Sequence, residues 1–178
     1  MLHQVHLKFQ LANMISGLMP DFGSGVLRGR LYRIAGLDVA ADAFIMGNLE
    51  LPSGSQIGFY DKLHVGSGVV IGNHVTINLD SEVRIGANVA LSPFVRIYTG
   101  THHLGPGSNR RLARVVGKSV AIEDGCWIGL GATILPGVTV GHGSIIAAGA
   151  VVTEAVPPNS YVEGNPARVI RQLPWGDR

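Results

Sequence analysis

Between Ile122 and Pro157 apolar and polar positions recur with a period of six: IEDGCW, IGLGAT, ILPGVT, VGHGSI, IAAGAV, VTEAVP. An aliphatic side chain opens each hexad, at Ile122, Ile128, Ile134, Val140, Ile146 and Val152. On an α-helix six residues advance about 600°, which scatters these side chains over three faces and builds no stripe. On strands, whose side chains alternate with a period of two, they share one side, joined four places later by the smaller Cys126, Ala132, Val138, Ser144, Ala150 and Val156. Glycines at 129, 131, 137, 141, 143 and 149 suit corners that need positive φ. The pattern predicts short flat strands wound into a parallel β-helix with three hexads per coil.

The same hexad starts at Val39 and passes through Ile45, Leu51 and Ile57. After a step of eight it resumes at Val65, Ile71 and Ile77, and after another at Ile85, Leu91 and Ile97, as a triangular coil with a bulged corner requires. Residues 103–118 (HLGPGSNRRLARVVGK) carry no hexad and are polar, so an excursion loop is predicted there. A long excursion from a compact repeat is a usual place for function. Its Arg110, Arg111, Arg114 and Lys118 fit a solvated face or an anionic ligand equally well.

Residues 1–38 follow a different rule. Leu2, Val5, Phe9, Ala12 and Ile15 recur at helical spacing, as do Val26, Leu27, Leu31 and Ile34 beside Arg28, Arg30 and Arg33, so two amphipathic helices are expected, split by MPDFGSG. They read as a helical N-terminal cap on the first coil; a basic helix lying on a membrane surface is the alternative. The expected organisation is thus a cap over 1–38, a β-helix over 39–173 with its loop at 103–118, and a tail over 174–178.

Composition narrows the classes. Hydrophobic residues make up 46% and charged residues 15%, with 25 glycines, as a Gly-cornered solenoid requires. A formal net charge of +2 gives no argument for nucleic acid as a partner. A single cysteine rules out an internal disulfide framework and fits a reducing compartment. With no run near the ~20 apolar residues of a membrane span and no clear signal peptide, a cytoplasmic location is expected.

WIG at Trp127–Gly129, VPPN at Val156–Asn159 and GNPAR at Gly164–Arg168, with the loop after TGTH, resemble the hexapeptide-repeat acyltransferases, in particular the maltose, galactoside and polysaccharide O-acetyltransferase group. The resemblance covers residues 39–173. It implies an all-β left-handed parallel β-helix with a short C-terminal helix, and a homotrimer with active sites between subunits. It also implies direct transfer from acetyl-CoA to a sugar or polysaccharide-precursor hydroxyl. A thioester is already activated and a hydroxyl is a poor nucleophile, so the missing element is a base of near-neutral pKa.

His102, in TGTHH, matches the family's catalytic histidine; His103 beside it departs from the family pattern and leaves the choice between the two neighbours open. Asp80 and Asn78, in INLDSE, match the acceptor-holding region, where a carboxylate can accept a hydroxyl hydrogen bond. A turn residue is the plain structural reading of either. Trp127 matches an aromatic lining the pantetheine channel, and the backbone N–H of Leu130 falls where the family places an oxyanion donor. Ala148 and Thr153 match coenzyme-contacting turns, and Arg168 and Arg171 match basic residues near the coenzyme phosphates. Glu154 replaces a common lysine. Cys126, at an inner position, offers a weaker nucleophilic alternative, and no metal is expected. Other acceptors on this scaffold are an amino sugar, serine or an antibiotic. Two other classes share it: a γ-carbonic-anhydrase-like metalloenzyme, which needs three facing imidazoles, and a non-catalytic β-helix that presents a surface.

Overall fold

The structure, a computed structural model, describes residues 2–21, 23–52, 59–103 and 113–174, and the side chains of all these except 2–6, 59 and 60. The expected hexad position Ile57 and the loop arginines Arg110 and Arg111 lie outside the described residues. Two helices, α1 (Leu2–Gly17) and α2 (Gly25–Ile34), precede the coil. The first turn carries β1 (Asp38–Val39) and β2 (Phe44–Ile45). The second carries β3 (Leu63–Val65), β4 (Val70–Ile71) and β5 (Thr76–Ile77), and the third β6 (Val83–Ile85), β7 (Ala90–Leu91) and β8 (Arg96–Ile97).

The chain then leaves the coil through the antiparallel pair β9 (Gly100–His102) and β10 (Val115–Gly117). It re-enters with β11 (Val120–Ile122), β12 (Trp127–Ile128) and β13 (Thr133–Ile134). A further turn of β14 (Thr139–Val140), β15 (Ile145–Ile146) and β16 (Val151–Val152) leads to the closing strands β17 (Ser160–Gly164) and β18 (Ala167–Gln172).

The strands stack into three faces, parallel throughout except for the closing β17–β18 pair. Face A runs β1-β3-β6-β11-β14, face B runs β2-β4-β7-β12-β15-β17-β18, and face C runs β5-β8-β13-β16. Ile122 pairs with Val140, Ile128 with Ile146 and Ile134 with Val152, three hexads apart in each case. All six are buried, as are the small partners from Cys126 to Val156, so the period read from sequence is the period of the core. Val65 pairs with Ile85, two residues beyond three hexads. The two extra residues sit at the corner that joins face C to face A, in the segment 78–82. A 3-10 turn at Phe59–Lys62 stands at the same corner one coil earlier.

Three features differ from expectation. The C-terminal segment expected as a short helix is strand β18, which pairs antiparallel with β17 through Glu163↔Arg168 and Gly164↔Ala167. A helix this short has no stability without a packed face, whereas the open edge of face B satisfies the backbone of Ala167–Gln172 directly. The excursion also begins earlier than position 103, because β9 and β10 extend it as a ladder to Gly100 and Gly117.

The third difference concerns the helices. In α2 the buried residues are Gly25, Arg28, Gly29 and Tyr32, while Leu27 and Ile34 face outward. The two glycines let the helix backbone lie on the first coil: a Cβ on Gly29 would sit 2.5 Å from the Ala43 carbonyl oxygen, and one on Gly25 would meet the Phe44 ring at 2.6 Å. Arg28, 1% exposed, donates from Nε to Ser16 Oγ (3.1 Å) and from Nη2 to the Met19 carbonyl (2.6 Å), with Asp21 at 3.5 Å. The Tyr32 hydroxyl donates to Asn13 Oδ1 and accepts the Leu49 N–H at 3.1 Å, and burial raises its pKa. A polar network therefore fastens α1 and α2 to each other and to the coil where an aliphatic seam was expected.

Candidate active site

The edge between faces C and A gathers the first group of predicted residues. Asn78 leaves β5 with its side chain buried, and its amide oxygen accepts from the N–H groups of Thr99 (3.2 Å) and Gly100 (3.1 Å) and from Thr99 Oγ1 (2.9 Å). Its amide nitrogen donates to the Pro52 carbonyl and to Asp80 Oδ2, both at 3.2 Å. Thr99, fully buried, in turn donates to the Asn78 carbonyl (2.8 Å) and accepts the Ser81 N–H (2.9 Å). Asn78 and Thr99 thus tie two successive coils together at the point where the hairpin departs. Thr99 had drawn no separate notice in the sequence.

Asp80 stands beside the root of β9. A Cβ on Gly100 would lie 2.1 Å from Asp80 Oδ2, so only glycine allows the approach. Lys62 Nζ donates to the carbonyls of Leu79 and Asp80 at 3.3 and 3.2 Å, bracing that corner from the coil below. Alternate residues of a strand point the same way, so the His102 side chain projects on the side of β9 that Gly100 turns toward Asp80, about 7 Å further along. His103 projects to the other side.

His102 is exposed, and its Nδ1 lies 2.9 Å from the Ala113 carbonyl across the hairpin. A carbonyl oxygen only accepts, so Nδ1 carries the proton and Nε2 of the neutral ring keeps its lone pair. His103 anchors through its backbone N–H to the Arg114 carbonyl (3.0 Å), and its ring has no hydrogen-bond partner among the described residues. The remaining described imidazoles each face carboxylates: His64 meets Asp38 and Glu82, His74 meets Glu50, and His142 meets Glu123. Among the described residues no group of three or more His, Cys, Asp or Glu side chains could hold a metal ion.

The second group lies across face C, on the edge between faces B and C and on face B itself. Trp127 is 54% exposed on β12, and its ring N–H donates to Ser92 Oγ of the coil below at 3.1 Å, which fixes the indole plane. Leu130 follows at the corner. Its carbonyl accepts the Gly149 N–H (2.8 Å), and its own N–H has no partner among the described residues; nor has that of Ala148, one coil above. Along this edge Phe94 occupies the slot that Gly131 and Gly149 take in later coils, at φ 62°, with its ring stacked on His74 at 5.1 Å. His74 holds the same slot one coil below, also in the left-handed region, at φ 57°.

Thr153 is exposed on the C–A edge, two corners above His102. Arg168 and Arg171 are exposed on β18, Arg171 with its guanidinium 5.3 Å from the Tyr161 ring. Within one chain these residues form two clusters on two edges of the prism, not one pocket. Cys126 lies outside both. Its thiol is buried, donates to the Gly141 carbonyl at 3.1 Å, and is pushed up to about 11 by burial, which removes it as a nucleophile near neutral pH.

Residues 119–154 match the sequence profile of the hexapeptide repeat of succinyl-transferase. The fold superposes on a hexapeptide-repeat-containing acetyltransferase from Vibrio cholerae, with a TM-score of 0.79 and 26% identity, covering 97% of this chain and 93% of that one. In sequence and fold the chain is similar to the hexapeptide-repeat acetyltransferases. Its coil is accordingly a left-handed β-helix. A maltose O-acetyltransferase from Clostridium difficile superposes with a TM-score of 0.70 at 28% identity, covering 97% of this chain and 88% of that one. The galactoside O-acetyltransferase of Lactococcus lactis is 36% identical over 112 residues, 63% of this chain and 54% of its own. The chain spans 54% to 59% of the length of three curated relatives that it matches. The Vibrio cholerae protein has also been solved with acetyl coenzyme A.

Proposed function

We propose that the protein is an acetyl-CoA-dependent O-acetyltransferase that acts on a sugar or polysaccharide-precursor hydroxyl, with His102 as general base. The observation that carries this reading is the His102 tautomer: Nδ1 held by the Ala113 carbonyl leaves Nε2 free to accept a proton, on the side of β9 that faces Asp80. His103, on the opposite side of the strand, is the lesser candidate. Support for donor and acceptor comes from the relatives, which are named galactoside and maltose O-acetyltransferases and include a complex with acetyl coenzyme A.

In the proposed reaction Asp80 accepts a hydrogen bond from one acceptor hydroxyl and orients its neighbour toward Nε2. As Nε2 takes the proton, the hydroxyl oxygen attacks the thioester carbonyl, and the oxyanion receives the unpartnered N–H of Leu130. Collapse breaks the carbon–sulfur bond, and the imidazolium returns the proton to the departing coenzyme thiolate. No acyl-enzyme forms. Asn78, whose polar atoms are all engaged within the protein, acts in this reading as a positioning residue for Thr99, Gly100 and Asp80 and does not contact the acceptor. Trp127, Ala148 and Thr153 bind the coenzyme arm, and Arg168 and Arg171 supply guanidinium donors to its phosphates.

Since the base and Thr153 stand on the C–A edge while Trp127, Leu130 and Ala148 lie on face B and the B–C edge, this reading has a second copy bring its B–C edge to the C–A edge of the first. A homotrimer closes this arrangement in a ring. A cytoplasmic location is part of this reading, since acetyl-CoA is its donor. The test is thiol release from acetyl-CoA across a panel of hydroxylated acceptors. His102→Ala should lower kcat by a factor of about 10² to 10⁴ while coenzyme binding and thermal stability stay unchanged. Full turnover by this variant removes His102 as the base, and loss in His103→Ala alone transfers the role to its neighbour.

A further inference from the structure

The helices α1 and α2 are apolar on two sides. On α1 the side facing the coil consists of Phe9, Ala12 and Ser16, all buried. Opposite it runs a second stripe at helical spacing, Leu7, Leu11, Met14 and Ile15, continued by Leu18 just past the helix, with Leu7 65% and Leu18 84% exposed. On α2, opposite the buried Gly25, Arg28, Gly29 and Tyr32, stand Leu27, Leu31 and Ile34, with Ile34 79% exposed. The two outer stripes meet in a shallow groove of about 220 Å³ between Leu11, Ile15, Leu31 and Ile34, with Lys8 and Ala35 at its rim. A surface helix that packs on one side has no need of the second stripe, and a contiguous apolar patch of this kind marks an interaction surface.

The charges around the patch choose the partner. The helical segments Leu2–Gly17 and Gly25–Ile34 contain no aspartate or glutamate. Lys8, Arg30 and Arg33 are exposed, the two arginines beside Ile34 in a second hollow. Two copies meeting through this face would bring like charges together, whereas an anionic lipid surface supplies apolar chains beneath a layer of negative headgroups. We infer that the outer face of α1 and α2 is a docking surface for an anionic phospholipid bilayer, with the Leu7–Leu18 and Leu27–Ile34 stripes at the acyl boundary and Lys8, Arg30 and Arg33 against the headgroups. Among the described residues no helix is long and apolar enough to cross a membrane, so the contact is peripheral. It stands apart from the acyl-transfer reading and is tested without any acceptor.

The full chain is sedimented with sucrose-loaded vesicles of phosphatidylcholine, with and without about one third phosphatidylglycerol. Wild type should sediment with the anionic vesicles and be released by high salt. Arg30→Gln/Arg33→Gln should weaken that binding by about fivefold per charge, and Leu7→Gln/Leu18→Gln/Ile34→Gln should abolish it. These side chains are all exposed, so both variants should keep the wild-type melting temperature and the wild-type mass by light scattering. Three results would overturn the inference: no sedimentation of wild type with anionic vesicles, equal binding to neutral ones, or a fall in oligomer mass in the apolar variant, which would assign the face to a second copy.

Discussion

The A–B and C–A edges of the coil come from one repeat, and they differ in where their polar groups go. On the A–B edge the corners stack in register, with Gly68, Asn88, Gly125 and Gly143 in the left-handed region, and side-chain carboxylates bridge adjacent coils. Asp42 accepts from Ser67 Oγ and the Gly68 N–H, and Asp124 from the Ala87 N–H. On the C–A edge the chain carries extra residues at 78–82 and departs altogether at Gly100. There the buried amide of Asn78 does what a stacked corner does elsewhere. Where the chain departs from the stacked corner, side chains repair the edge, and there an imidazole projects from it.

The largest expected effect separates stability from turnover. Ile134→Ala removes a fully buried side chain from face C and should destabilise by about 3 kcal/mol, read as a lower urea midpoint, while the folded fraction keeps its specific activity. His102→Ala should do the reverse. Equal losses of activity per folded molecule in both would mean that the coil and the hairpin are not separable. Asn78→Ala should show both effects, since it strands the N–H groups of Thr99 and Gly100 in a buried corner. A cost of about 2 to 3 kcal/mol is expected, with lower kcat as β9 loses its anchor. Asn78→Ala at wild-type stability would show that the corner closes without the amide.

Burial of Cys126 yields a pH dependence. Its thiol is raised from 9.0 to about 11, so folding favours the neutral form. The sign follows: this contribution is complete below pH 9 and is lost as pH rises toward 11, on the order of 2 to 3 kcal/mol in all. In Cys126→Ala the difference from wild type should shrink steadily between those limits, measured as urea stability at half-unit steps. A constant difference across the range would mean that the thiolate is accommodated in the coil.

What could be read from the sequence follows the same division. Every inner position from Ile122 to Val156 was legible because one period governs both chemistry and geometry there. The bulged corner was legible as the eight-residue step into Ile85, without its purpose. Which face of α2 is buried was not: Val26, Leu27, Leu31 and Ile34 describe an apolar stripe, and nothing local tells that Gly25 and Gly29 permit closer packing than leucine. The C-terminal strand was missed because the open edge of face B, which captures Ala167–Gln172, exists only after the coil has formed. Nor could sequence separate His102 from His103, because the Ala113 carbonyl that orients one ring is brought to it by the hairpin.

The smallest effect tests the third edge, between B and C, where the repeat is kept but His74 and Phe94 take the slot that later coils give to glycine. Phe94 holds φ 62° with its ring 53% exposed, in the slot of Gly131 and Gly149. For a bulky L-residue that backbone costs roughly 1 to 2 kcal/mol, partly offset by stacking on His74 at 5.1 Å, worth about 0.5 kcal/mol at an exposed site. Asparagine tolerates the left-handed region, and Asn88 and Asn159 already occupy it in this chain at φ 55° and 52°. Phe94→Asn should therefore raise stability by about 1 kcal/mol, a melting temperature about 2 to 4 °C higher. A lower melting temperature would show that the His74 stack outweighs the strain. A gain in stability joined to a higher KM for the acceptor would place the ring in the cleft beside Leu130, with its backbone strain retained for binding.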